Sequence, residues 1–324
     1  MIARQSVWTD EKVVKLAEQF VPCADEVGRL QRGKDDDCLL FQKIAEQGHF
    51  KGRIDTTRQG IYCAAPSGVL LASVNNNNPE VIARLMERAL KKWESMSREE
   101  RLLPADAKYD PKFRWESRYP ADGLVLKSIY RDAPREDVKP MWKNAWNTDF
   151  TWFRSDEAKG FMPKEIKEGA TYEVPREQML RLARFTLRDI VRGEAEPFAV
   201  KHVEKAALKG TITAIKDGIA SIHFTGETRT SHEGEWSIEG LKSDKRVPQK
   251  RGYETKILGN AEYDVAAKKF KAFELVCMGP RWGGTRFNVR GGDLDPFPMI
   301  VVLQLGGNTP ADHVAPAYMW DYGW

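Results

Sequence analysis

Gly60-Ile61-Tyr62-Cys63-Ala64 and Val69-Leu70-Leu71-Ala72-Ser73, joined through Pro66-Ser67-Gly68 and followed by Asn78-Pro79-Glu80, decide how the first third of the chain is read. Two apolar runs bounded by turn-forming residues predict a strand, a compact turn and a second strand. Asn78 then caps a helix. Pro79 takes its first position, where a missing N–H costs nothing, and Glu80 sits at the positive end of the helix dipole. Ile82, Leu85, Met86, Ala89, Leu90 and Trp93 recur on one face, while Arg84, Glu87, Arg88, Lys91 and Lys92 form a solvated one.

Upstream, Thr9 is a plausible N-cap, with Asp10 and Glu11 behind it. Val13, Leu16, Ala17 and Phe20 make a single apolar stripe, and Phe20-Val21-Pro22-Cys23-Ala24 reads as a short strand. Leu40, Phe41, Ile44 and Ala45 mark a further helix that Gly48 ends. Asp35-Asp36-Asp37 could attract a cation, but ahead of a helical stripe it reads better as an N-cap cluster.

This order, from about Val7 to Trp93, resembles the thioredoxin-like superfamily short of its first strand. The resemblance implies an α/β fold and withdraws the chemistry. In that family redox cysteines open the first helix, where this chain has Ser6-Val7-Trp8-Thr9. A cis-proline precedes the first hairpin strand there, and here the place holds Arg58-Gln59. A thiol–disulfide exchanger needs a thiolate of lowered pKa and a resolving thiol nearby. In the implied sheet Cys23 and Cys63 lie on adjacent buried strands, where cysteine behaves as a small inert hydrophobe. Cys38 lies beside carboxylates, which raise a thiol pKa.

Eleven of the thirty-three aromatics fall between Tyr109 and Phe161, too many for a solvated linker. The stronger reading is a buried region that joins two domains. The other is an exposed stacking platform for sugar rings around Met141-Trp142-Lys143-Asn144-Ala145-Trp146. Met179, Leu182, Ala183, Thr186, Leu187 and Ile190 predict a helix stopped by Gly193. Arg181, Arg184, Arg188 and Arg192 form a basic stripe on it, expected to be solvated or to make a salt link between domains.

From Lys209 the period changes to strand alternation. Thr211–Ile215 and Ile219–Phe224 flank Lys216-Asp217-Gly218, a hairpin signal. Strands are expected at Tyr253–Leu258, Asn260–Tyr263, Phe270–Met278 and Met299–Leu305. Two clusters here could carry a site. Gly279-Pro280-Arg281-Trp282-Gly283-Gly284-Thr285-Arg286-Phe287-Asn288 offers glycines for close approach and arginines for carboxylate or phosphate. It lacks the P-loop ending, and a sharp loop between strands would look similar. The second is Thr228-Arg229-Thr230-Ser231-His232-Glu233, with His223 nearby; three metal ligands at an established spacing are not present. The candidate ligand-binding residues are therefore Arg281, Trp282, Arg286, Asn288, Arg229 and His232, with no catalytic residue, metal or cofactor assigned.

The 324 residues carry 51 basic and 47 acidic side chains, so the net charge of +4 gives no sign of a nucleic-acid groove. The apolar runs are strand-length, so no membrane span is expected. Met1 leads into polar Arg4-Gln5-Ser6, which fits a cytoplasmic chain; a start trimmed from a longer precursor would make it extracytoplasmic.

The sequence thus predicts an α+β protein. A thioredoxin-like domain spans 1–97, an aromatic-rich connecting region 98–205 and an antiparallel β-sandwich or barrel-like domain 206–324. The expected role is a binding or scaffold protein without redox chemistry, holding an unknown ligand or protein partner where the domains meet. Its rivals are a thiol–disulfide oxidoreductase using a non-standard cysteine and a carbohydrate-binding or carbohydrate-acting protein.

Overall fold

The computed structural model describes residues 7–8, 10–25, 27–52, 57–103, 105–108, 115–238, 245–309 and 312–324. Ser6, Thr9, Tyr109 and Phe113, which the sequence reading used, lie outside them. The chain forms two compact units, Met1–Arg114 and Trp115–Trp324.

In the first unit, the three longest helices each start on a side chain that satisfies free N–H groups. Asp10 accepts from Val13 N at 3.1 Å to open α1 (Glu11–Ala17). After a single turn, α2 (Val27–Leu30), Asp35 accepts from Cys38 N to open α3 (Asp36–Glu46). Asn78 accepts from Glu80 N at 2.9 Å to open α4 (Pro79–Ser95). Strands β1 (Ile61–Ala64) and β2 (Leu70–Val74) pair antiparallel as a two-stranded sheet. The apolar face of α4 buries Ile82, Leu85, Met86 and Ala89 against Val13 and Cys63. The expected strand at Phe20–Ala24 does not form. Val21 is 88% exposed and Cys23 is also exposed, so neither lies on a buried strand. Pro22 removes a ladder donor in the middle of that short run, which disfavours pairing.

The second unit is one antiparallel sheet of eight strands. They are β3 (Leu124–Asp132), β4 (Trp146–Phe153), β5 (Thr171–Glu173), β6 (Val203–Lys216), β7 (Ile219–Trp236), β8 (Val247–Asp264), β9 (Lys269–Trp282) and β10 (Phe297–Leu305). Their order is β4-β3-β10-β9-β8-β7-β6-β5, so a six-strand meander ends beside a hairpin made much earlier in the chain. Asp217 and Gly218, with φ of 51° and 78°, make the β6–β7 turn that the Asp-Gly pair predicts.

Two expectations change here. The aromatic-rich segment supplies β3, β4 and β5, so it belongs to the sheet instead of connecting to it. The strands also run longer than expected, because Gly226 and Gly259 stand inside ladders and not at turns. The result, among the described residues of the second unit, is one continuous sheet and not two facing ones.

Alternation along the strands makes one face a core. Phe224 and Phe273 lie in contact with one another, and Phe161 meets both Phe273 and Phe153 edge to face. On the other face of β3 and β4, Val125, Phe150 and Trp152 pack with Met319. Each such side chain contributes about 1.5–3 kcal/mol when fully buried. This burial takes most of the aromatic segment out of solvent, with Trp146 still 46% exposed. Of the two tryptophans in the stretch read as a sugar-stacking platform, Trp142 is buried and Trp146 is exposed. No helix among the described residues is long and apolar enough to cross a membrane.

Candidate functional site

The core face changes character along its length. Phe224 and Phe273 occupy one end, Thr228, Thr255 and Tyr253 the middle, and Arg251 and Arg281 the other end. Successive side chains alternate faces, so Thr228, Thr230, His232, Gly234 and Trp236 of β7 share this face. The register His232↔Arg251 and Thr230↔Tyr253 brings β8 alongside, and Tyr253↔Arg281 adds β9.

The segment that follows the helix Arg176–Arg181 closes over this end. Its helix gives way to a π-turn at Leu182–Thr186, where Leu187 N donates to Leu182 O at 2.7 Å. Such turns cluster at functional sites. The helix therefore ends before Ile190, and the arginine stripe is not solvated: Arg188 and Arg192 are 0% and 3% exposed. Sequence could not show this, because apart from Glu194 the carboxylates that pair with them come from distant parts of the chain.

The first cluster is an ion network. Arg290 donates to both oxygens of Asp132 at 2.7 Å and to both oxygens of Asp189 at 2.7 and 2.9 Å. Arg192 reaches Asp132 at 3.2 Å and Asp293 at 2.8 Å. Arg281 and Arg135 meet Asp293 at 2.7 and 2.9 Å. Four guanidinium groups thus surround three carboxylates. Burial alone would raise the Asp189 and Asp293 carboxyls, but hydrogen bonds and charge from Arg290 and Arg281 hold both below their usual range. Buried pairs of this kind fix geometry more than they add net stability. At Gly193 any side chain would collide with Phe287 O, 1.9 Å from an added Cβ, so the loop backbone lies directly on the segment it locks.

Beside it, Arg188 pairs with Asp149 at 3.2 Å and with Glu194, under the ring of Tyr318. Burial pushes the Asp149 carboxyl up to about 6, against the pull of Arg188.

The third cluster is differently built. Arg251 is 4% exposed, and its guanidinium lies between the rings of Phe198 and Trp236, 4.5 and 4.4 Å from their centroids. It donates to the carbonyls of Glu196 and Pro197 at 2.9 and 3.3 Å. The carboxylate nearest to it among the described residues, that of Glu196, is 3.9 Å away and about half exposed. Burial lowers its pKa to about 10, with Glu196 opposing. The imidazole of His232 stacks on that of His202 at 3.6 Å, and Trp236 meets it edge on at 4.8 Å. Burial lowers both histidine pKa values, and neighbouring cations, Arg251 among them, lower them further. Among the described residues, Arg251 Nε, Trp236 Nε1 and His202 Nδ1 are buried without a hydrogen-bond partner. Gly234 lies between the two rings on the same strand face. A Cβ there would stand 3.5 Å from His232 Nε2 and 3.7 Å from Trp236 Nε1, so two ring nitrogens converge over a residue that has no side chain.

The six expected site residues therefore separate. Arg281 and Asn288 come together through Asp189, which Asn288 Nδ2 reaches at 3.4 Å. His232 enters the Arg251 cluster. Arg229 lies on the opposite face, paired with Glu204 and Glu254 and 5.9 Å from the Trp282 ring. Arg286 is exposed beside Phe287. His223 contacts Asn260 and not His232. Sequence reading missed Arg251, although counting back by twos from Ile257, Thr255 and Tyr253 places it on the core face.

Comparison of the chain with protein-family models, with curated proteins and with solved structures gives no match.

Proposed function

We propose that the protein is a binding protein without thiol redox chemistry, holding a small polar ligand at the Arg251 end of the sheet. The carrying observation is the pair of ring nitrogens over Gly234, beside a buried arginine whose closest carboxylate among the described residues, that of Glu196, is 3.9 Å away. Buried polar atoms normally have partners, and those that lack one call for an explanation. A ligand supplies it.

The thiols favour the non-redox part of this reading. Burial pushes the Cys63 thiol up to about 11 and raises that of Cys277, which disfavours a thiolate at neutral pH. Burial also raises the Cys38 thiol, helped by its hydrogen bond to Asp35 and opposed by Arg29. In the first unit, the stretch expected to carry a redox pair in a thioredoxin-like reading holds no cysteine, which fits the same reading.

The test is a panel of sugars, amino acids, organic acids and nucleotides, read by thermal shift and by tryptophan fluorescence of the full chain and of Trp236→Phe. Saturable binding that depends on Trp236 supports the proposal, and a panel with no response removes it. Insulin reduction that vanishes in Cys23→Ser or Cys63→Ser would also overturn it.

A further inference from the structure

We infer that the ligand class at this place is a compact oxyanion, a carboxylate or phosphate group received between His232 Nε2 and Trp236 Nε1 above Gly234. This rests on the binding role just proposed and narrows its chemistry.

Three observations point the same way. The indole nitrogen can only donate, and His232 Nε2 can donate once protonated, so the place can present two donors at one point. The surrounding charge is positive: Arg251 is buried next to it and Lys201 adjoins His202, while Glu196 is half solvated and 3.9 Å off. Alternation sends Glu233 and Glu235 to the opposite face of β7, away from the gap. The amide of Gln249, opposite Gly234 in register, is already engaged with both the N–H and the carbonyl of Gly284. Arg251 and Trp236 supply donors only, which suit an acceptor-only oxyanion better than a polyol hydroxyl that also has a proton to place. An anion would be stabilised by Arg251 through the protein interior, where screening is weak, and would draw a proton onto His232.

The experiment uses the full chain with acetate, inorganic phosphate and glycerol as probes, at matched ionic strength and pH 6. Binding is read by calorimetry and by the histidine ring signals in NMR. Acetate or phosphate should bind saturably and shift His232, and the stronger of the two names the oxyanion. Trp236→Phe, which removes the indole donor and keeps the ring, should weaken binding by about tenfold or more. Gly234→Val fills the gap with a residue suited to a strand and should abolish binding while the melting temperature stays close to the parent's. Glycerol binding that depends on Trp236, with no response to either anion, overturns the anion assignment and leaves the binding role standing. Anion binding unchanged in Gly234→Val overturns the placement. If neither the anions nor any member of the wider panel binds, both readings fall.

Discussion

Arg290 and Asp132 share two parallel hydrogen bonds of 2.7 Å although 158 residues separate them in the chain. The fork of one guanidinium matches both carboxylate oxygens, the geometry that makes such a pair strong and directional. It ties the loop after β9 to the end of β3.

Removing one partner of this pair should be costly. Asp132→Ala leaves Arg290 and Arg192 short of a carboxylate inside the protein, and breaking a buried pair costs about 3–5 kcal/mol. Arg290→Lys should also destabilise, because an ammonium cannot serve Asp132 and Asp189 with a planar fork. Urea unfolding followed by tryptophan fluorescence measures both. A loss under about 1 kcal/mol for Asp132→Ala would mean that the network contributes little.

Acid should unfold the second unit early. Asp189 and Asp293 resist protonation in the folded chain, where arginines outweigh the effect of burial. An unfolded aspartate takes up its proton near pH 3.9, so their contribution is complete above about pH 4 and is lost as the pH falls below it. Asp149 acts in the opposite sense. Burial pushes its folded pKa up to about 6, so the folded chain holds that proton more tightly and stability falls as the pH rises from about 4 through 6. In thermal melts from pH 3 to 7, Asp149→Asn should flatten the fall between 4 and 6 and keep the loss below 4. An unaltered profile between 4 and 6 would contradict this.

Val289 adopts φ of 56°, in the left-handed region, between buried Asn288 and Arg290. A β-branched residue there costs roughly 1–2 kcal/mol. Val289→Gly should therefore raise the urea midpoint, by about 1 kcal/mol in stability. A lowered midpoint would show that its side chain contributes more by packing than its backbone costs.

Exposure separates the thiols. Cys23 is exposed, whereas Cys38, Cys63 and Cys277 are buried. Iodoacetamide at neutral pH should label Cys23 first and reach the other three only under denaturing conditions. Rapid labelling of Cys63 in the folded chain, seen by mass spectrometry, would reopen a redox role.

Asn78→Ala should cost about 1 kcal/mol, because Asn78 Oδ1 accepts from Glu80 N and helps to satisfy the first turn of α4. An unchanged midpoint for the first unit would show that its packing with Val13 and Cys63 holds the helix without the cap.

What was legible in the sequence was local. The Asn78-Pro79-Glu80 start and the Asp217-Gly218 turn appear where they are read, because each is decided within a few residues. Phe20–Ala24 misleads because an apolar run says nothing about whether a neighbouring strand exists to pair with it. Half of the site was equally out of reach. His232 and Arg281 are singled out in sequence, but Asp132 and Asp189 acquire their meaning only through Arg290, far along the chain. Arg188 and Arg192 look like a solvated stripe until the sheet supplies their carboxylates.

The neighbour of β3 on its inner side is β10, and this bears on how the chain is made. A ribosome adding roughly 5–20 residues per second needs on the order of ten to thirty seconds to travel from Asp132 to Phe297. For that interval the β3–β4 hairpin exists with an edge that its later partner alone can cover. The meander from β5 to β10 can close step by step, but the junction with β3 has to wait. Long-range pairing of this kind is slow and exposes strand edges to other chains. Nascent chains halted between Asp132 and Phe297 are therefore the ones that should call on chaperones.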